Sequence, residues 1–288
     1  MAVYRNTLDE LIEQTCRNAL DDWVEGTATG GTSSTVVDTS RVEADDYWND
    51  QRAYCYIRTG TYKGSDELVT DFVNSTTTLS ISPTLGGAVV AGDTYVLMTE
   101  YRWAEVKAAI NAAISSVAQE AYIWRVNDSF IQVQSDVYEY VMPTGFSYIY
   151  QITQSDANGL FSNTAEVIPV DCYGIIHTDV PRLKFHQLDP DMDGHYYGQL
   201  WQPTDGRYLR IEGVGRQEKL DLDTSPCYLN PNYIMYQAGA LLHAKRTRRA
   251  ENDPDEHGTQ ARICQSRADL ERQRTIYFRL PPDSKRVE

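Results

Sequence analysis

The stretch Trp103–Trp124, WAEVKAAINAAISSVAQEAYIW, decides how the rest of the chain is read. Trp103, Val106, Ala109, Ile110, Ala113, Ile114, Val117, Ala121 and Trp124 recur at intervals of three and four, the spacing of one buried helical face. Alanine is frequent in that stripe, and small side chains let a second helix approach closely. The stretch therefore predicts a long helix packed against another. A partner is available near the start of the chain, where Leu8, Leu11, Ile12, Cys16, Ala19, Leu20 and Trp23 follow the same spacing. Thr7 followed by Glu10 is the signature of a capping box at its beginning. This helix is expected to stop at Gly26, and GTATGGTSST (26–35) reads as a flexible connector.

Between the two helices the period changes to two. TVVDT, AYCYIRTG, ELVTDFV, TTLSISP and TYVLMTE read as five short strands separated by Gly, Asn, Ser and Asp turns, which suggests a small antiparallel barrel or sandwich. A second run of strand candidates follows the long helix: FIQVQ, YEYVM, YIYQI, EVIPV, LKFHQL, YGQLW and YLRIEG. A third helix is expected over about 231–250, with Pro231 at its start and the basic KRTRRA at its end. ENDPDEHG breaks the chain, and 259–274 reads as a polar helix before the short strand-like TIYFRL.

The expected fold class is thus α+β, with three main helices as its core. That core takes 1–26, 101–128 and 223–252. A small antiparallel β module, 27–100, is inserted in it, and 129–222 forms a second module, barrel-like or sandwich-like. The remainder, 253–288, is a C-terminal helix and an extended tail.

Composition narrows the function. The formal net charge is −15, which argues against a protein that grips DNA or an anionic membrane, since either requires clustered Lys and Arg. It permits one that lets DNA pass without sticking. The charge is uneven: the first hundred residues carry net −10, whereas Ala240–Glu288 carries +3. Tyrosine is abundant, at 20 residues, which suits half-buried β surfaces and subunit interfaces. MAVYRNTLDELIEQ lacks the apolar core of a secretory signal, and no run is long enough for an apolar membrane span. Cys16, Cys55, Cys172, Cys227 and Cys264 are far apart and contain no Cys-x-x-Cys pair, so reduced thiols in a cytoplasmically made protein are expected.

The sharpest chemical motif is LDPDMDG (188–194). Asp189, Asp191, Asp193 and Gly194 match positions 1, 3, 5 and 6 of a helix–loop–helix calcium site. That site also requires a bidentate Glu at position 12, which here is Leu200, and the flanks read as strand. A solvated acidic turn is the better reading, and no metal or other cofactor is expected. No Gly-x-Ser-x-Gly elbow, phosphate loop or His-Glu-x-x-His occurs. Gly213–Gly215 precedes a polar segment and is no dinucleotide fingerprint. His177, His186, His195, His243 and His257 are scattered without ligand spacing, although His186 and His195 flank the Asp turn. The chain is expected not to be an enzyme. Tyr196, Tyr197, Trp201 and Tyr208 lie on or near turns, where aromatic faces suit stacking on sugar rings.

Three features carry a resemblance. The first is the Gly/Ser/Thr linker leading into a β insertion that ends GGAVVAGDTYVLM. The second is the Ala-rich helix followed by DVYEYVMPTGFSYIYQI. The third is GRYLRIEG and then TSPCYLNPNYIMYQAGALLHAK. Together they resemble the head–tail adaptor (connector, or neck) proteins of tailed bacteriophages.

The resemblance implies a structural virion protein in the neck of the particle, assembled in the host cytoplasm. Copies of it would form a twelve-subunit ring between the portal and the tail-completion (stopper) protein, with DNA passing through the lumen without sequence-specific binding and no membrane contact. Its C-terminal tail would dock on the portal through Arg272, Arg274, Tyr277, Phe278 and Arg279. The alternative is a tail, baseplate or surface-exposed structural protein that binds carbohydrate through Tyr196, Tyr197 and Trp201.

Overall fold

The computed structural model describes residues 4–185, 204–247, 254–275, 281 and 283–287. They divide into two compact units, one from 1–116 and 219–275, the other from 117–218 and 276–288.

The first unit is built on a seven-stranded antiparallel sheet. Its order from edge to edge is Val24–Thr27, Thr94–Met98, Tyr54–Ile57, Asp66–Val73, Thr78–Ser82, Thr35–Val37 and Gly30–Gly31. The two edge strands belong to one stretch of chain, so the sheet's edges meet there and it closes into a small barrel. The segment 26–35 is therefore no flexible connector: the Ala28 amide donates to the Asp93 carbonyl at 2.8 Å and the Thr29 amide to the Val37 carbonyl at 2.7 Å. Inside lie Val36, Trp48, Cys55, Ile57, Val69, Phe72, Leu79, Ile81, Tyr95 and Leu97. The pairs Cys55 and Ile57, Leu79 and Ile81, and Tyr95 and Leu97 follow the two-residue alternation that puts successive side chains on opposite faces, whereas Trp48 comes from a short helix and a register shift separates Val69 from Phe72.

A charged group is buried at the seam. Arg41 Nε donates to Tyr95 Oη at 2.9 Å, Tyr95 Oη donates to Asp38 Oδ2 at 2.7 Å, and Arg41 Nη2 donates to the Glu25 carbonyl at 2.6 Å. Gly26 makes room for it, because a Cβ there would lie 2.4 Å from Arg41 Nη2 and 2.5 Å from the Tyr95 ring.

Five helices accompany the strands: α1 (Leu8–Thr15), α2 (Tyr47–Asp50), α3 (Trp103–Ser116), α4 (Pro231–Arg246) and α5 (Pro254–Thr275). Both bonds of the capping box form at α1, Thr7 N to Glu10 Oε2 and Glu10 N to Thr7 Oγ1. The helix then widens into a π turn at Cys16–Leu20 and stops at Asp21, whose φ of 54° is left-handed. Trp23 accordingly lies beyond the helix. Helices α1, α3 and α4 pack on one another, and α5 packs along α4. The barrel meets α3 through Tyr56, which stacks on Trp103 with centroids 3.7 Å apart and rings within 6° of parallel.

Gly239 on α4 fixes a close crossing. A Cβ there would stand 2.9 Å from Ala19 Cβ and 3.4 Å from Cys264 Sγ. Gly239→Val is expected to cost about 1–3 kcal/mol by forcing these segments apart, read as a lower urea midpoint with unchanged slope.

In the second unit a five-stranded antiparallel sheet runs Glu166–Val167, Tyr148–Gln154, Tyr208–Gly215, Ile123–Gln132, with Lys285–Arg286 also added to Tyr148–Gln154. A three-stranded sheet, Glu139–Val141, Arg182–Phe185, Tyr173–Ile176, shares its core. Ile149, Ile152, Leu209 and Ile211 from the first sheet meet Tyr173, Leu183 and Phe185 from the second.

These elements overturn the expected α+β fold on a three-helix core. The structure is mostly β: among the described residues there are seventeen strands in four sheets, and 29% of residues are helical. The barrel is no small insert in a helical layer; α2 and α3 adjoin it, and α5 packs along α4. The misreading starts at Trp103–Trp124. Its helix ends at Ser116, where Ser115 Oγ donates to the Asn111 carbonyl and Ser116 Oγ to the Ala113 carbonyl. Such local bonds compete with the helical ladder. Val117 and Ala121 are buried beyond it without helical structure. Ile123 and Trp124 begin a ten-residue strand, as suits a β-branched and aromatic run.

Candidate interaction surface

Among the described residues, strand Ile123–Gln132 is an outer strand of its sheet, paired on one side with Tyr208–Gly215. Period-two alternation places Trp124 and Val126 on the same face, turned away from the core that Ile131 joins. Between Asn127 and Ile131 the register slips. Phe130 shares the parity of Trp124 and Val126 and is also at the surface, with its amide bonded to Asn127 Oδ1 at 3.1 Å. Trp124 is 50% exposed, Val126 60% and Phe130 57%, so a ten-residue edge strand presents three large apolar side chains to solvent. A long, apolar edge of this kind is a template for another chain.

Aromatic side chains extend the surface inward. Trp124 meets Tyr150 edge to face, with centroids 5.2 Å apart at 90°, and Tyr122 meets Tyr148 at 5.6 Å and 88°. Tyr150 Oη donates to Glu212 Oε2 at 3.4 Å, and burial together with that carboxylate pushes the phenol up to about 12. Tyr150 is therefore neutral and keeps its proton to donate. Arg210 lies over the Phe161 ring at 4.1 Å and pairs with Asp128 at 3.7 Å. Leu160 and Val167 are also exposed. The surface is an apolar, aromatic strip bordered by a few fixed charges, the composition of a protein-binding patch.

Most of the residues singled out in the sequence are not among those the structure describes. Asp189, Asp191, Asp193, Tyr196, Tyr197, Trp201, Tyr277, Phe278 and Arg279 lie outside the described residues. Arg272 and Arg274 are on the last turns of α5, and Arg274 is bonded to Glu271 at 2.6 Å. The terminal strand that is described, Lys285–Arg286, adds to its own sheet. His177 and Asp179 share a cleft of about 490 Å³ with Met142, Phe146, Pro181 and Val287.

Among the described residues no group of three or more His, Cys, Asp or Glu is placed to hold a metal, and no helix is long and apolar enough to cross a membrane. The strip itself escapes the sequence reading because Trp124 fits the helical stripe. The alternation of Trp124, Val126 and Asp128 with Arg125 and Asn127 was its signal. Sequence spacing also hides His243 and His257, which are scattered along the chain but adjoin in space. They lie near the facing ends of α4 and α5, where an antiparallel helix pair brings positions on either side of the connection together.

Searches against models of known protein families and against curated proteins find no match to this chain.

Proposed function

We propose that this chain is a structural subunit of a tailed-phage virion: a head–tail adaptor that assembles with copies of itself, in a ring of twelve, between the portal and the tail-completion protein. The observation that carries the reading is the exposed apolar strip on the outer strand Ile123–Gln132, a surface suited to burial against a neighbouring subunit. The net charge of −15 supports it as well, since an acidic lumen repels the DNA backbone and lets it slide. The helical layer forms no part of the support, because the fold is mostly β. The reading assigns the chain no catalysis and no cofactor, and it places the protein in the virion neck.

Val126→Lys sets a charge in the middle of the strip without touching the core. It is expected to weaken self-assembly by about tenfold or more, read by mass photometry with and without a portal protein. A wild-type chain that stays monomeric with the portal present, or a variant that assembles as well as the wild type, overturns the reading.

A second reading is a surface-exposed structural protein that binds carbohydrate. It is favoured by the half-exposed Trp124 ring held edge to face by Tyr150, since an aromatic face so fixed suits a sugar. It predicts retention on host glycans that is lost in Trp124→Ala, with assembly unchanged in Val126→Lys.

A further inference from the structure

Helix α5 is polar, and three of its described side chains are buried: His257, Cys264 and Ala268. They fall seven and four residues apart, a narrow seam along α4. The remaining ties are polar and peripheral. Asn230 Nδ2 donates to Glu271 Oε2 at 2.9 Å, Arg267 lies over Tyr236 at 5.3 Å, and Gln237 and Gln265 exchange a bond at 3.4 Å. The buried contact of α5 with α4 is thus a narrow seam flanked by polar contacts.

At one end of the seam two imidazoles face each other. His243 Nδ1 and His257 Nδ1 are 3.1 Å apart, and Tyr101 Oη lies 3.2 Å from His243 Nδ1. His243 Nε2 is 3.0 Å from the Ala19 carbonyl, and His257 Nε2 is 3.2 Å from Glu100 Oε1. A carbonyl only accepts, so the Ala19 carbonyl takes a hydrogen from His243 Nε2, and a neutral His243 presents a bare Nδ1 to His257 and to the Tyr101 hydroxyl.

We propose that His243, packed against His257, is an acid-sensitive latch for α5, closed while the His243 ring is neutral and released when it is protonated. The latch stands independently of the connector reading. On α4 it faces Arg246, which reaches the Glu100 carbonyl and Glu105 Oε2 and covers the Tyr101 ring. On α5 it faces Glu256, and on the segment before α3, Glu100 and Tyr101. Asp22 accepts from the Glu100 and Tyr101 amides and holds that segment in place. Glu105 is shared by Arg246 and Lys245, whereas Glu100 and Glu256 act to favour a charged His243.

Burial first, and then the neighbouring His257, hold His243 below the ordinary histidine value of 6.5, against the opposing pull of the Ala19 carbonyl, Glu100 and Glu256. A lowered value means that the docked form binds fewer protons than the free one. The contribution to docking is therefore whole above pH 6.5 and is lost as the pH falls below it.

Hydrogen exchange of the full chain, corrected for the intrinsic pH dependence of amide exchange, tests the latch at pH 7.5 and 5.0. Protection over 257–271 is expected to fall at least tenfold at pH 5.0, while strands Tyr54–Ile57 and Thr94–Met98 keep theirs. Unchanged α5 protection, or a loss in step with the barrel strands, overturns the proposal. His243→Gln is expected to abolish the pH dependence of α5, and its retention is equally fatal. Should that variant not fold, Glu100→Gln serves: it withdraws the offsetting carboxylate and moves release to lower pH, and a midpoint that stays or rises refutes the latch.

Discussion

Arg41→Leu is expected to cost the barrel unit about 3–5 kcal/mol. The substitution leaves Asp38 buried beside a phenol without its cation, and a buried charge deprived of its partner is far costlier than the pair was favourable. Arg41 and Asp38 side chains are 7% and 2% exposed, so water cannot replace what is lost. The Glu25 carbonyl loses its donor in the same step, at the strand that closes the barrel. The measurement is a urea titration in which the midpoint falls and the slope is unchanged; a loss under 1 kcal/mol would show that the seam does not depend on this residue.

The same group makes the barrel sensitive to acid. Burial acts to raise the Asp38 carboxyl, but hydrogen bonds from Ser40 and Tyr95 and the Arg41 charge outweigh it and hold the group below its ordinary value. A depressed carboxyl stabilises the fold above its unfolded value and loses that contribution as the pH falls through the folded one. Asp38 therefore acts at lower pH than the His243–His257 pair, so α5 loosens before the barrel does.

Asp22→Ala is expected to be nearly as damaging, at roughly 3 kcal/mol or more. One carboxylate, 6% exposed, accepts from the Thr99 amide at 2.7 Å, Thr99 Oγ1 at 3.0 Å, the Glu100 amide at 2.9 Å and the Tyr101 amide at 2.8 Å. Alanine orphans three amides at once, each at a cost of about 1–3 kcal/mol when buried. Asp22→Asn keeps one carbonyl oxygen and should recover part of the loss. Thermal unfolding of the three proteins checks the order: wild type highest, asparagine between, alanine lowest. Equal melting of the two variants would mean that the charge, and not the number of acceptors, holds the 99–101 segment.

The strands were legible where alternation is local. TVVDT, AYCYIRTG, ELVTDFV, TTLSISP and TYVLMTE all contain strands of the barrel, because a two-residue period with β-branched and aromatic residues leaves few other solutions. The capping box at Thr7 and Glu10 was legible for the same reason. What failed needed distant partners. Gly30–Gly31 has no strand propensity and pairs only because Thr35–Val37 and the barrel's curvature bring a partner to it. Ile123–Trp124 continued a helical stripe on paper, yet the chain turns after Ser116 and pairs with Tyr208–Gly215, far along the sequence. The Asp38–Arg41–Tyr95 group and the paired histidines are invisible to spacing, since each joins side chains on separate elements.

Closure of the barrel by a single stretch of chain has a consequence for synthesis on the ribosome. Val24–Thr27 emerges early, but its partner Thr94–Met98 is made only after every other strand of the sheet. This early strand, like one side of Tyr54–Ile57, is thus satisfied only at the end. Until then its amides and carbonyls stay bare, and the nascent chain carries an open edge whose protection depends on how quickly translation reaches Met98.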